Sequence, residues 1–174
     1  DDDSTLAVTI AGVTYTENNG LVVDAQGNWS VDLTGTTLAD GTYTVEATVT
    51  DVAGNTTTAT QDVVIDTKID EDSDGDTVAI TSITNDTGTS GSDFITSDNT
   101  LVFNGTVDLD DDSTLAVTIA GTVYTTANGL TVDAQGNWSV DLTGTRSADG
   151  THTAEATVTD VAGNTTTATQ DVVI

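Results

Sequence analysis

The stretch "THTAEATVTDVAGNTTTATQDVVI", residues Thr151 to Ile174, has the pattern of two β-strands joined by a tight turn. In its first half, alternate residues form two faces, one of threonines with a glutamate and one mainly of small apolar residues. The second face carries His152, Ala154, Ala156 and Val158. The letters Asp-x-x-Gly-Asn from Asp160 suit a type I turn that closes into a bulge. The stretch therefore predicts an antiparallel hairpin, with strands at Thr151 to Thr159 and Thr165 to Val173.

The same hairpin occurs earlier, because the chain is a repeat with an offset of 109 residues. Residues 1–65 and 110–174 differ at nine positions, which in the first copy are 13, 14, 17, 18, 22, 37, 38, 43 and 45. A period of this length is a whole domain per repeat rather than a solenoid unit. We predict that 1–65 is the C-terminal part of one repeat, lacking its first two strands, that 66–76 is an acidic linker, and that 77–174 is a complete repeat.

Short strands are also predicted through the rest of the complete repeat, since Val, Ile and Thr dominate its alternating segments and proline is absent. They lie at Val78 to Thr84, Leu101 to Val107, Leu115 to Ala120, Val123 to Thr125, Leu130 to Val132 and Trp138 to Leu142. Evenly spaced strands of this kind predict an all-β antiparallel sandwich, in which each sheet keeps one face in water.

The composition argues against several classes of partner and function. Two basic residues against 29 acidic ones give a formal net charge of −27, which argues against nucleic acid and anionic membranes as partners and for cations. Cysteine is absent, so disulfides and thiolate metal sites are excluded. No apolar run is long enough to insert into a membrane, and export would need a signal outside this segment. One histidine and no evident carboxylate pair in a pocket argue against an enzyme.

The run "DEDSDGD", Asp70 to Asp76, suggests a metal site. Its alternating acids and Gly75 match the first half of the helix-loop-helix calcium signature. The second half fails, because position 12 is Thr81 rather than glutamate and the flank alternates like a strand. The run therefore fits Ca²⁺ binding but not a helix-loop-helix sensor, and the alternative is a solvated, flexible linker.

Tyr43 follows a turn that contains Gly41, as in the tyrosine corner of immunoglobulin-like sandwiches, where the hydroxyl bonds back to the turn. His152 takes this place in the second copy. We interpret His152 as a packing substitute rather than a metal ligand or catalytic base, and predict that its corner is the weaker of the two.

In such a sandwich the first strand starts at the end that carries the loops at Asp108 to Ser113 and Asp160 to Asn164, so the linker approaches both. Carboxylates a few ångströms apart repel by about 1 to 4 kcal/mol per pair, which a cation would relieve. Oxygen ligands without His or Cys favour Ca²⁺. The predicted ligands of several Ca²⁺ ions are Asp66, Asp70, Asp72, Asp74, Asp76, Asp108, Asp110, Asp111, Asp112, Asp160 and Asn164.

A second acidic group lies in the long connection that follows the first strand of the repeat. It consists of Asp86, Asp93 and Asp98. These carboxylates could meet the linker of a following repeat at the opposite end of the sandwich, or they could simply stabilise turns in a polar loop.

Several segments together resemble a known family. "TSITNDTGTSGSDFITSDNTLVFNGTV", "DAQGNWSVDL" and "GTYTVEATVTDVAGNTTTATQDVVI" are similar to bacterial immunoglobulin-like repeats of giant repeats-in-toxin adhesins, which include biofilm and ice-binding adhesins. The resemblance implies a tandem immunoglobulin-like β-sandwich with Greek-key topology and Ca²⁺-bridged domain junctions. It also implies secretion by a type I system to the bacterial cell surface. The glycine-rich nonapeptides that name the toxin family are absent.

The function that the resemblance implies is that of a structural extender, whose partners are neighbouring copies of the repeat in one chain and whose distal ligand lies outside this segment. The alternative is a sandwich that itself binds a glycan or ice through threonine arrays. The incomplete first copy poses a separate question. Residues 66–109 could complete it as a circular permutant, or pair with residues 110–174, which we favour because the linker then stays at the junction.

Overall fold

The computed structural model describes residues 3–69, 77–109 and 113–174, and the regular elements in these ranges are all β-strands. They are β1 (Thr5–Ile10), β2 (Val13–Tyr15), β3 (Leu21–Val23), β4 (Trp29–Val31), β5 (Gly41–Thr50), β6 (Thr56–Ile65), β7 (Val78–Ile83), β8 (Val102–Val107), β9 (Thr114–Ile119), β10 (Thr122–Tyr124), β11 (Leu130–Val132), β12 (Asn137–Asp141), β13 (Thr151–Thr159) and β14 (Thr165–Val173). The chain divides into two compact units, unit 1 (Asp1–Thr67) and unit 2 (Lys68–Ile174). Within the described ranges, no helix could serve as a membrane span.

Unit 2 is a sandwich of two four-stranded antiparallel sheets. One has the order β10-β9-β13-β14 and the other β11-β12-β8-β7. Strand β8 pairs with β12 from Val102 opposite Asp141 to Thr106 opposite Asn137, so the strands at 78–107 complete the second copy. The predicted all-β immunoglobulin-like sandwich is confirmed, and its strands begin and end within one residue of the predicted positions.

Strand β13 shows why the sequence pattern gives this fold. Ala154, Ala156 and Val158 are fully buried in the core between the sheets, while Thr151, Thr153 and Glu155 of the opposite face are exposed. This is the alternation that the sequence predicts, because successive side chains of a strand point to opposite sides of the sheet.

Trp138 lies at the centre of the core and is 2% exposed. It is opposite Gly105 in the β12–β8 pairing, and its indole N–H donates to the carbonyl oxygen of Thr106 at 3.2 Å. A Cβ atom on Gly105 would lie 2.3 Å from the indole ring and 2.0 Å from the Ala79 carbonyl oxygen. Glycine at this point of β8 therefore gives the tryptophan its space.

The long connection between β7 and β8 joins the two sheets at one edge. Phe94 and Thr96 flank a parallel bridge from Ile95 to Val173 of β14. The Thr96 N–H donates to the Val173 carbonyl oxygen and the Val173 N–H donates to the Phe94 carbonyl oxygen, each at 2.9 Å. The last strand of one sheet is thus held by the segment that leaves the first strand of the other.

Unit 1 repeats part of this arrangement. It has one four-stranded sheet, β2-β1-β5-β6, and a two-stranded sheet of β3 and β4. Val8 and Leu21 are buried, but Trp29, the counterpart of Trp138, is 41% exposed. In the described part of unit 1, no strands occupy the places that β7 and β8 take in unit 2.

Candidate functional site

The turn between β13 and β14 carries the first predicted metal ligands that the structure describes. The Asp160 carboxylate accepts the N–H groups of Gly163 and Asn164 at 2.7 and 2.8 Å, and its other oxygen accepts the Asn164 side-chain amide at 2.8 Å. Desolvation raises the pKa of Asp160, but the hydrogen bonds from Asn164 and Gly163 outweigh it, so that the pKa lies below the ordinary value. The carboxylate is therefore held ionised by the turn that it stabilises.

The linker meets this turn. The Asn164 side-chain amide also donates to the Lys68 carbonyl oxygen at 3.1 Å. The next residue, Ile69, packs against the core of unit 2. On the far side of the acidic run, the Thr77 carbonyl oxygen accepts the Asp108 N–H at 2.8 Å, where β7 and β8 begin and end opposite each other. Both flanks of residues 70–76 are therefore bound to unit 2.

These contacts lie at one end of unit 2. Thr114, at the start of β9, is opposite Thr159, which precedes Asp160. Strand β8 ends at Val107 in one sheet, and β9 begins at Thr114 in the other. We call this region the acidic end of unit 2. Of its predicted ligands, Asp70, Asp72, Asp74, Asp76, Asp110, Asp111 and Asp112 lie outside the described residues.

Two residues of the acidic end were not predicted as part of it. Asp133 lines a pocket of about 290 Å³ together with Asp108 and Gly136, and the Val107 N–H donates to the Gly136 carbonyl oxygen. Ile69 is the other, and an isolated isoleucine within an acidic linker was a signal for it. Asp133 gave no such signal, because its turn letters explain it locally.

Asp66 is in unit 1, where it follows β6. The next residue, Thr67, donates its N–H and hydroxyl to the Asp40 carboxylate at 3.1 and 2.7 Å. Asp66 has interactions of its own within the described structure. It is therefore held beside the turn that precedes β5, at the point where the chain leaves the sheet of unit 1.

The second acidic group has local hydrogen bonds. Asp86 accepts the Phe94 N–H at 2.9 Å, and Asp93 accepts the Ile95 N–H at 3.2 Å. Asp98 accepts the Asn85 amide at 2.7 Å, and this bond, with those from Thr100, lowers the pKa of Asp98. The turn-stabilising alternative accounts for these bonds. In the described parts of the chain, no three acidic or histidine side chains form a metal-ligand group.

The corner residues of the two copies, Tyr43 and His152, make the same hydrogen bond to a backbone carbonyl oxygen. The Tyr43 hydroxyl donates to the Ala39 carbonyl oxygen at 2.9 Å, as predicted for a tyrosine corner. His152 Nε2 lies 2.7 Å from the Ala148 carbonyl oxygen, so the imidazole makes the equivalent bond. His152 also lines a pocket of about 240 Å³ with Phe103. The imidazole nitrogen thus takes the place of the tyrosine hydroxyl at this corner.

Exchanging the corner residues should therefore have opposite effects. His152→Tyr is expected to stabilise unit 2 by about 0.5 to 1 kcal/mol, because it adds buried apolar area and keeps a hydrogen bond. Tyr43→His is expected to destabilise unit 1 by a similar amount. Unit-resolved amide exchange measures both, and two changes of the same sign would refute the interpretation of His152 as the weaker substitute.

The hydrogen-bonded turn at Asp133 predicts that the stability of unit 2 falls at acidic pH. The side-chain and backbone N–H groups of Asn137 lower the pKa of Asp133 below its ordinary value. A lowered pKa contributes stability that is present above the ordinary value, about 4, and is lost as pH falls through the folded value. Asp133→Asn should therefore lower the unfolding temperature at pH 6. Between pH 5 and pH 2.5, the unfolding temperature of this variant should fall less than that of the wild-type chain.

Circular dichroism melts at constant ionic strength make this measurement. Asp24→Asn, in the corresponding turn of unit 1, should flatten the acid dependence in the same way, because hydrogen bonds from Asn28 lower the pKa of Asp24. An Asp133→Asn chain as acid-sensitive as wild type would contradict the role of the turn.

A sequence profile of the bacterial immunoglobulin-like domain matches residues 1–67 and 74–174. A comparison with the sequences of characterised proteins gave no significant match.

Three solved adhesin structures are similar to the chain. A Ca²⁺-stabilised adhesin with which an Antarctic bacterium reaches out and binds ice is 34% identical, with 98% of this chain and 39% of that one covered and a TM-score of 0.48. A 1.5-MDa bacterial ice-binding adhesin is 34% identical, with 98% and 52% covered and a TM-score of 0.47. A tetra-tandem repeat from the extending region of a large adhesion protein is 28% identical, with 99% and 42% covered and a TM-score of 0.35.

The chain spans about half or less of these adhesin chains. The profile covers nearly all of its residues, in both copies of the repeat. The sequence profile, together with the two-sheet sandwich and the tyrosine corner, shows that the chain belongs to the bacterial immunoglobulin-like domain family.

Proposed function

We propose that the chain is a structural extender module of a secreted bacterial cell-surface adhesin, in which Ca²⁺ at the acidic end of unit 2 fixes the linker between repeats. Its partners are neighbouring copies of the repeat in the same chain, and the adhesive domain that it projects lies elsewhere. Export by a type I system is part of the proposal. The chain has no catalytic role in it.

One observation carries the proposal: the acidic run is held on unit 2 at both of its flanks. Lys68 is bonded to Asn164 beside Asp160, and Thr77 is bonded to Asp108. Two further carboxylates, those of Asp160 and Asp108, therefore belong to the residues and turn that the flanks of the run contact. In a chain with a net charge of −27, such a concentration of acids opposes folding unless cations neutralise it.

The donor chemistry fits Ca²⁺. Asp160 and Asp108 supply hard oxygen atoms, and neither His152 nor a thiol is part of the acidic end. The Asp160 carboxylate accepts three hydrogen bonds and is ionised, which leaves lone-pair capacity for a cation. The other ligands of this end are the predicted acids of 70–76 and 110–112. When bound, Ca²⁺ would neutralise these carboxylates and cross-link the linker to the loops.

The near identity of the copies also supports an extender. A binding tip needs one specialised surface, whereas a spacer works through repetition of a single folded unit. The exposed threonines of the sheets bond to one another, as Thr48 does to Thr58 and Thr157 to Thr167, at 3.0 and 3.3 Å between hydroxyl oxygens. Such pairs are typical of the water-facing side of a sheet.

The test is the effect of Ca²⁺ on the 174-residue chain. Calcium should raise the unfolding temperature of unit 2 relative to EDTA, by an amount that corresponds to about 2.7 kcal/mol at 100 times the dissociation constant. Small-angle scattering should show a longer maximum dimension, because bound Ca²⁺ would restrict how the chain enters unit 2 beside Lys68. Magnesium at the same concentration should do less, since it requires strict octahedral geometry.

The chain contains its own control. Asp51 makes the same turn in unit 1 as Asp160 does in unit 2, with bonds to Asn55 of 2.8 Å. Asp160→Asn should weaken the calcium effect, and Asp51→Asn should leave it intact while disturbing its turn equally. An unfolding temperature and a scattering profile that do not respond to Ca²⁺ would rule the proposal out.

A further inference from the structure

A cavity of about 240 Å³ lies between the two sheets of unit 2, at the end opposite the acidic end. It is bordered by Ile119, the last residue of β9, and by His152 at the start of β13, whereas the acidic end lies at the other ends of these strands. Phe103, Leu142 and Val172 complete its apolar lining. Small-molecule sites are concave and mostly apolar with a few polar groups, and usually exceed about 300 Å³ for drug-sized ligands, so this cavity suits a smaller molecule.

Arg146 gives the cavity a positive charge. It is the only arginine in a chain with 29 acidic residues. In the described part of the chain, its guanidinium makes one hydrogen bond, to the Asn99 side-chain oxygen at 3.5 Å, and no ion pair with a carboxylate. A guanidinium has five N–H donors, arranged to bind a carboxylate through two parallel bonds. Because Arg146 is exposed and Phe103 is 2% exposed, the charge lies at the mouth of the cavity and the apolar groups lie deeper.

The differences between the two copies are concentrated at this cavity. Four of the nine differing positions line it, namely Thr122, Arg146, Ser147 and His152, which stand where the first copy has Val13, Thr37, Leu38 and Tyr43. Each change either adds a hydrogen-bond donor or shortens the side chain, and one of them adds the charge. This is the direction of change that a site for a charged ligand requires.

Unit 1 shows where the chain runs after the last strand of a repeat. There the counterpart of β14 is β6, and beyond it Thr67 donates its N–H and hydroxyl to the Asp40 carboxylate. Asp40 corresponds to Asp149, which does not line the cavity. Thr37, the counterpart of Arg146, is exposed although the chain continues past it. The path that follows the last strand is therefore compatible with an accessible cavity mouth.

We propose that this cavity binds a small organic monocarboxylate with an unbranched apolar tail. The carboxylate pairs with the guanidinium of Arg146 at the mouth, and the tail lies against Leu142 and Phe103. An inorganic anion lacks the apolar surface that the lining would cover, and a neutral apolar molecule leaves the guanidinium without its partner, so both should bind more weakly. The site does not involve the acidic end, and its function is independent of calcium and of the extender role.

The probe is octanoate, titrated into the isotope-labelled 174-residue chain in metal-free buffer at constant ionic strength. Since the chain has one arginine and one histidine, the Nε–H signal of Arg146 and the imidazole signals of His152 are identified by residue type alone in NMR spectra. Both should shift with the same saturable dependence on octanoate. Acetate should bind at least about tenfold more weakly, because each methylene that becomes buried contributes up to about fourfold in affinity. Octanol should also bind about tenfold more weakly, because it has no charge to pair with the guanidinium.

Matched variants locate the site. Arg146→Thr introduces the residue of the first copy, so the fold should be retained, and it should weaken octanoate binding about tenfold, as read from the His152 signals. Arg146→Lys keeps the charge without the planar fork and should bind with an affinity between those two chains. Lys68→Gln removes the other basic side chain, keeps the carbonyl group that Asn164 contacts, and should leave octanoate binding unchanged.

Three results would each overturn the proposal. The first is the absence of a saturable shift of the Arg146 and His152 signals. The second is an octanoate affinity that acetate or octanol equals, because the site would then recognise only the charge or only the apolar tail. The third is full octanoate affinity in the Arg146→Thr chain, since the carboxylate would then bind elsewhere.

Discussion

Trp138→Ala is expected to destabilise unit 2 by about 3 to 5 kcal/mol, the range for removing a large aromatic side chain from a core. Trp138 is among the largest fully buried side chains in the described structure. Its removal also leaves the Thr106 carbonyl oxygen without the indole N–H, and exposes a cavity over Gly105. Since small domains are stable by only about 5 to 15 kcal/mol, a loss of this size would bring unit 2 close to its unfolding limit.

Trp29→Ala is the matched control. The local sequence "NWSVDL" is identical around both tryptophans, but Trp29 is 41% exposed and excludes less area from water. We expect a cost on the order of 1 kcal/mol. Hydrogen exchange followed by mass spectrometry resolves the two effects, because the sequence of β7 and β8 occurs once in the chain and reports on unit 2 alone. Equal costs for both substitutions would show that the two faces are equally buried in solution.

Gly136→Ala is the second large effect. Gly136 has a φ of +77°, and a Cβ atom there would lie 2.1 Å from the carbonyl oxygen of Val107. The left-handed conformation costs a residue with a side chain about 1 to 2 kcal/mol. The overlap adds about 1 to 3 kcal/mol, because the end of β8 must move away from the turn that holds it. The total should appear as a lower unfolding temperature and faster exchange in β8.

Gly27→Ala separates the two causes. Gly27 is the counterpart of Gly136 and has a φ of +83°, but no atom lies within 4 Å of the position of its Cβ. It should therefore show the conformational cost alone, as a smaller loss of stability in unit 1. Equal losses of stability in Gly27→Ala and Gly136→Ala would show that the close approach of Val107 to the turn does not add to the cost.

Much of the fold could be predicted because its determinants are local. The alternation in β13 and the Asp-x-x-Gly-Asn turns depend on residues within a few positions of one another, and the structure has them as expected. The arrangement of the acidic end was harder to predict from the sequence. The position of Asp133 beside Asp108 depends on the pairing of β12 with β8, which brings together residues far apart in the chain. The contact of Lys68 with Asn164 spans a still longer separation.

The repeat, the strands, the turns and the all-β class follow from the amino-acid sequence alone, since each depends on side-chain alternation and on backbone preferences of Asp, Asn and Gly. The amino-acid sequence alone did not determine burial. "NWSVDL" forms a three-residue strand with an exposed tryptophan in unit 1 and a five-residue strand with a buried one in unit 2. In the described structure β8 pairs with β12 of the second copy, and this long-range pairing sets the difference, because hydrophobic burial and ladder hydrogen bonds both require a neighbouring strand.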